Sequence, residues 1–61
     1  MTLNQAIARA KRAAKKRGEE MYIVDDYIGE RICVATKEDA FTFLWSEPVL
    51  AIVHPGGWVE Q

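Results

Sequence analysis

The sequence predicts an α+β fold, in which one N-terminal amphipathic helix packs on a small antiparallel β-sheet of three or four strands. Three observations predict it. An alanine-rich segment with helix signals at both ends opens the chain, and two runs rich in β-branched residues then follow across a short connection. A continuous apolar run and a Pro-Gly-Gly turn come last. Sixty-one residues accommodate a single domain, residues 1–61.

Residues 2–17 carry the signals of a helix start and a helix end. Thr2 and Gln5 have the spacing of a capping box, and Gly18 suits the left-handed position that follows a helix. At about 100° per residue, the apolar side chains share one side of this helix. The stripe consists of Leu3, Ile7, Ala10 and Ala14, with Ala6 and Ala13 at its edge.

Residues 21–27 and 31–36 are predicted to form a hairpin, with Gly29 free to take a positive φ in the connection. Thr36 then resembles a helix N-cap, because acidic residues follow it. We favour a short helix from Lys37 to about Leu44. The alternative is a strand over residues 41–45, where aromatic residues alternate with others.

Residues 49–53 are predicted to form a central strand, because a continuous apolar run indicates burial on both faces of a sheet. A turn follows, in which Pro55 presets φ and Gly56 accepts a positive φ. Residues 58–60 return as a short terminal strand.

Charge is distributed unevenly along the chain. Residues 1–17 hold six basic and no acidic side chains, whereas residues 18–61 hold two basic and nine acidic ones. The basic set is a candidate nucleic-acid contact surface and consists of Arg9, Lys11, Arg12, Lys15, Lys16 and Arg17. The alternative is a solvated helix face that pairs with the acidic remainder or with another subunit. A membrane surface is disfavoured, because the apolar stripe lacks large side chains that insert into lipid.

Binding by this helix is expected to be independent of base sequence. The chain shows no pattern of a helix-turn-helix, a ribbon-helix-helix or a zinc finger, and no aromatic pattern of an RNA-binding sheet. The aromatic residues instead predict core or interface anchors. The candidate interface residues are Phe41, Phe43, Trp45 and Trp58.

Catalytic and metal sites are not predicted. Asp25 and Asp26 are adjacent in a strand and would point to opposite faces. Cys33 is expected to be buried and inert, and His54 is expected on the surface beside a turn. We therefore expect no enzymatic activity, no cofactor, no bound metal and no small-molecule substrate.

The sequence as a whole predicts a cytoplasmic protein-interaction module that self-associates. A chain this short has thin stability, and with one cysteine it cannot form an internal disulfide, so a partner subunit is a natural source of stability. An exposed sheet edge or the Trp/Phe surface would meet the partner, which is a second copy or another protein. The alternative function is a small accessory nucleic-acid-binding protein. No membrane segment is expected.

Overall fold

The computed structural model describes residues 2–26, 31–42 and 48–61. Their elements, in chain order, are α1 (Leu3–Arg17), β1 (Met21–Asp26), β2 (Arg31–Thr36), α2 (Lys37–Thr42), β3 (Val49–Val53) and β4 (Val59–Glu60). The strands form one four-stranded sheet in the order β2-β1-β3-β4, and every neighbouring pair is antiparallel. The predicted α+β fold is confirmed, with β1 and β3 at the centre of the sheet.

Helix α1 begins and ends where its sequence signals predict. The Thr2 backbone N–H donates to Gln5 Oε1 at 2.9 Å, and the Gln5 backbone N–H donates to Thr2 Oγ1 at 3.2 Å. Gly18 takes a left-handed conformation with φ of 69° and donates its N–H to the Ala14 carbonyl at 2.8 Å. Both ends therefore satisfy backbone groups that a helix leaves unpaired.

The apolar stripe of α1 packs on one face of the sheet. Its deepest line is Ala6, Ala10 and Ala14, each fully buried, and Leu3 and Ile7 flank this line half-buried. The sheet side of this core consists of Met21, Ile23, Ala51 and Val53. Because alanine has the smallest apolar side chain, the helix lies close to the sheet. Ala6, predicted at the edge of the stripe, is in its centre.

The opposite face of the sheet has a second, smaller core. Tyr22, Val24 and Ala35 pack there against Ala40 of α2. Helix α2 starts as predicted, since Thr36 Oγ1 accepts the backbone N–H of Asp39 at 3.1 Å. The helical prediction is thus confirmed over residues 37–42. Its expected end near Leu44 lies outside the described residues, as does Gly29.

The β3–β4 hairpin confirms the predicted turn and corrects its details. The Gly57 N–H donates to the His54 carbonyl at 2.8 Å, so Pro55 and Gly56 are the central residues of a β-turn. Gly57, and not Gly56, takes the positive φ, which is 95°. A β-turn followed by a positive-φ residue is the usual three-residue hairpin loop.

Candidate functional site

Among the residues that the structure describes, helix α2 is the element that covers the face of the sheet opposite α1, and it covers part of the width of that face. The six-residue helix α2 is about 9 Å long, and it contacts strands β1 and β2. Strands β3 and β4 lie beyond it. Apolar side chains remain exposed on this side, and we call the surface the open face. It consists of the exposed Phe41, Val49 and Trp58, together with the half-buried Ile52 and His54 between them.

Strand register places Val49 and Ile52 on the open face. Ile52 lies opposite Tyr22, and a register shift in the β1–β3 pair puts Val49 opposite Val24. Directly opposite residues share a face of an antiparallel pair, so both follow the side chains of the second core. The expectation that residues 49–53 are buried on both sides is therefore wrong at the start of β3, where Val49 is 45% exposed.

Trp58 and His54 form a stacked pair at the end of the β3–β4 hairpin. Their ring centroids are 3.6 Å apart, with 7° between the ring planes. The His54 side chain is only 15% exposed, and its Nε2 lies 3.2 Å from Glu60 Oε1. The predicted surface position of His54 is corrected, because the indole covers the imidazole. Trp58 itself is 57% exposed.

Phe41 extends the open face from α2. Its ring meets Tyr22 edge to face, with centroids 5.5 Å apart, yet the side chain is 58% exposed. One edge of the ring therefore anchors α2 on the sheet, and the rest faces solvent. The contact with Tyr22 restricts the Phe41 ring on one side, which reduces the side-chain freedom that would be lost on binding.

Carboxylates border the open face. The hydroxyl of the buried residue Tyr22 donates to Glu20 Oε2 at 3.4 Å. Burial raises the pKa of Tyr22 above its ordinary value, and the negative charge of Glu20, the hydrogen bond to it and the charge of Glu60 act in the same direction. The rim of this face thus carries negative charge beside its apolar centre.

A cleft of about 730 Å³ opens at the end of the sheet where α1 ends and α2 begins. The chain segments around it are residues 17–20, 36–38, 41–42 and 54–55. Its lining carries both signs of charge, and Arg17 Nε pairs there with Glu19 Oε1 at 3.1 Å. Phe41 and His54 join this cleft to the open face.

Five of the six predicted basic residues form a second surface, on the outer side of α1. We call it the basic face, and it consists of Arg9, Lys11, Arg12, Lys15 and Lys16, all exposed. Arg17 is also exposed, but it lies seven residues after the buried Ala10, on the sheet side of the helix end, where it lines the cleft. Among residues 2–26, 31–42 and 48–61, Arg17 is the only one of the six that forms an ion pair. The expected pairing with the acidic remainder is seen there at this single position.

The candidate chemical groups do not come together. Cys33 lies opposite Val24 on β2, whereas His54 follows the far end of β3, so strand geometry separates them by roughly 16 Å. Cys33 is only half-buried, whereas the sequence predicted that it would be buried. Within the described ranges, no three His, Cys, Asp or Glu side chains are grouped to hold a metal ion. None of the helices in this part of the chain has the length and apolarity to cross a membrane.

The structure brings two of the four predicted interface residues together, Phe41 and Trp58 on the open face. Phe43 and Trp45 lie outside the described residues. Sequence reasoning missed Val49, Ile52 and His54 as members of this surface. Alternation from the buried Val53 places His54 and Ile52 on its opposite side, which is a signal the sequence contained.

Comparisons with known proteins identify no relative. No protein-family model, curated protein or solved structure matches this chain.

Proposed function

We propose that this protein is a non-catalytic interaction module that self-associates, with the open face of one copy bound to the open face of a second. The observation that carries the proposal is the exposure of three large apolar side chains on one side of one sheet. These are Phe41, Val49 and Trp58, which are 58%, 45% and 57% exposed. A sheet face normally buries its apolar side against another layer.

A second copy is favoured as the partner because the core formed by the described residues is small. Among residues 2–25, 31–42 and 48–61, the largest fully buried side chains are Ile23, Val24 and Val53, and alanines supply much of the rest. Domains of this size commonly gain stability from a partner subunit. Pairing two open faces would bury the aromatic and branched side chains of Phe41, Val49 and Trp58, which are exposed in the single chain.

A face-to-face dimer would use most of one side of the molecule. The two longer extents are 30 and 23 Å, which is a projected area somewhat below the roughly 800 Å² that a standard interface takes from each partner. A face-to-face dimer would place the apolar centre of the open face between the two sheets. The acidic rim would lie at the solvent boundary, where ionic screening weakens its repulsion.

The proposal is tested by sedimentation equilibrium over a range of protein concentrations. We expect a dimer for the unmodified protein, and we expect Val49→Glu to weaken association by roughly 100-fold or more, because an unpaired buried carboxylate is costly. Ala8→Glu is the matched control, since it adds the same charge at an exposed position of α1. It should leave the dimer unchanged. Phe41→Ala gives a second variant with no added charge.

Two results would reject the proposal. The first is a protein that sediments as a monomer at every concentration and whose tryptophan emission is quenched by iodide to the same extent at each concentration. The second is a dimer that Val49→Glu and Phe41→Ala leave intact, because association would then use another surface. Circular dichroism of each variant separates loss of association from loss of folding. Rising salt should weaken the repulsion between the carboxylates of Glu20 and Glu60 on the two copies.

A further inference from the structure

We propose that the basic face of α1 binds the phosphate backbone of a nucleic-acid duplex without reading its base sequence. The inference is independent of self-association, because α1 covers the opposite side of the sheet from the open face. It rests on the orientation, the pairing and the spacing of the basic side chains.

The side chains of the basic face point away from the sheet. Ala6, Ala10 and Ala14 mark the side of α1 that contacts the sheet. Helical geometry of about 100° per residue directs three basic side chains close to the opposite, solvent direction, with Lys11 and Arg9 on either side of them. The three outward residues are Arg12, Lys15 and Lys16. One helix thus presents a row of cations that a single flat or grooved anionic surface can contact together.

The positive charges of α1 are not neutralised by acidic residues of the same helix. Helix α1 contains no acidic residue at all, and its last turn is basic throughout. Lys11 and Lys15, like Arg12 and Lys16, are four residues apart and therefore repel each other. A surface helix that only needs solubility mixes both signs of charge. An anionic ligand relieves this repulsion, whereas solvent exposure alone leaves it in place.

The outer surface of α1 contains a shallow depression beside its arginines. Ala8 is exposed between longer side chains, and a shallow depression lies over it, lined by Gln5, Arg9 and Arg12. Two arginine side chains thus line the same small region, beside Gln5, whose Oε1 accepts the Thr2 N–H of the capping box. Guanidinium groups bind phosphate oxygens through paired hydrogen bonds. The depression is the right kind of place for one phosphate of a backbone.

A duplex fits this surface better than a lipid bilayer does. A membrane-surface helix inserts its apolar side into the lipid, but the apolar stripe of α1 is buried against the sheet. The helix is about 22 Å long and its basic residues cover the C-terminal half. The major groove of a duplex is about 12 Å wide. Three to five of the basic side chains can therefore contact phosphates along one edge of that groove.

The expected affinity is strongly dependent on salt. The logarithm of the binding constant falls by about 0.9 for each phosphate contact per tenfold rise in salt. Between about 50 and 200 mM salt, three contacts predict roughly a 40-fold loss and five predict roughly a 500-fold loss. A protein that binds through its apolar face would show no such slope.

The test uses fluorescence anisotropy of a labelled DNA duplex, measured across that salt range with two duplexes of unrelated sequence. The variant is Lys15→Gln with Lys16→Gln. The matched control is Arg31→Gln with Lys37→Gln, which removes the same charge from exposed positions outside α1. We expect the α1 variant to weaken binding to both duplexes and to reduce the salt slope by about two contacts. The control should keep the slope of the unmodified protein.

Each other outcome overturns the inference. Equal losses in the α1 variant and the control would show that net charge alone drives binding. No binding at low salt would show that the basic face is solely a solvated surface. Binding to vesicles containing phosphatidylserine, with none to either duplex, would assign the face to membranes. A strong preference for one duplex would contradict binding that is independent of base sequence.

Discussion

Replacing Gly57 with alanine tests the loop that holds Trp58 in place. Gly57 has φ of 95°, a conformation that L side chains rarely adopt, and an added Cβ would meet no atom within 4 Å. The cost is therefore conformational and not steric. A left-handed backbone costs an alanine about 1–2 kcal/mol. We expect Gly57→Ala to lower the free energy of unfolding by that amount, and Gly57→Asn to lower it less, because asparagine tolerates this region.

Gly56→Ala is the matched control, one residue away in the same turn. Gly56 does not take a positive φ, and an added Cβ would lie 3.5 Å from Trp58 Cδ1, an ordinary van der Waals contact. An alanine in a compatible conformation stabilises a protein by about 0.4–1 kcal/mol, because the unfolded chain loses freedom. The two substitutions should thus differ in sign.

Thermal unfolding followed by circular dichroism measures the difference. For a domain of this size, 1 kcal/mol shifts Tm by about 4–8 °C. Gly57→Ala should lower Tm by about 4–16 °C, and Gly56→Ala should raise it by a few degrees. All proteins are compared at one concentration, because association makes Tm depend on concentration. If Gly56→Ala proves the more damaging change, the assignment of the positive φ to Gly57 is refuted.

Two further predictions concern the helix packing and the buried tyrosine. Ala10→Leu should destabilise the protein by about 1–3 kcal/mol in urea unfolding, because the fully buried methyl of Ala10 leaves no room for a larger side chain. The exposed Ala8→Leu should change stability by less than about 0.5 kcal/mol, and equal losses would contradict the close packing of α1. The raised pKa of Tyr22 contributes stability that is fully present below pH of about 10 and is lost as pH rises through the raised value. In Tyr22→Phe, the free energy of unfolding should fall less steeply as the pH rises above about 10. In Glu20→Gln, tyrosinate absorbance should show a lower pKa of Tyr22, because one negative charge and its hydrogen bond are removed. A Tyr22 titration that Glu20→Gln leaves unchanged would contradict the role of Glu20.

The two proposed surfaces lie on opposite sides of one sheet. A dimer formed by two open faces would carry its two basic faces outward, pointing away from each other. Such a dimer would bridge two duplexes, whereas a monomeric Val49→Glu variant would bind one. Self-association and duplex binding thus depend on different residues, so an experiment can reject one proposal without affecting the other.

Helix α1 and the start of α2 were predictable because their signals are local. Thr2, Gln5 and Gly18 bond to backbone groups within a few residues, and Thr36 caps a helix only three residues ahead. The helical spacing of Leu3, Ile7, Ala10 and Ala14 likewise predicted the buried side of α1. Interactions of this range depend on the neighbouring sequence and are nearly independent of the rest of the fold.

The composition of the open face was decided by the tertiary structure. Whether a strand residue faces α1 or the opposite side depends on the register of its pairing, and the shift between Ile23 and Val24 places Val49 where a regular ladder would not. The burial of His54 depends on Trp58 returning across the hairpin and stacking on it. The sequence by itself determined which residues were apolar and which were basic. Only the fold decided which of them share a surface, because that depends on contacts between residues that are distant in the chain.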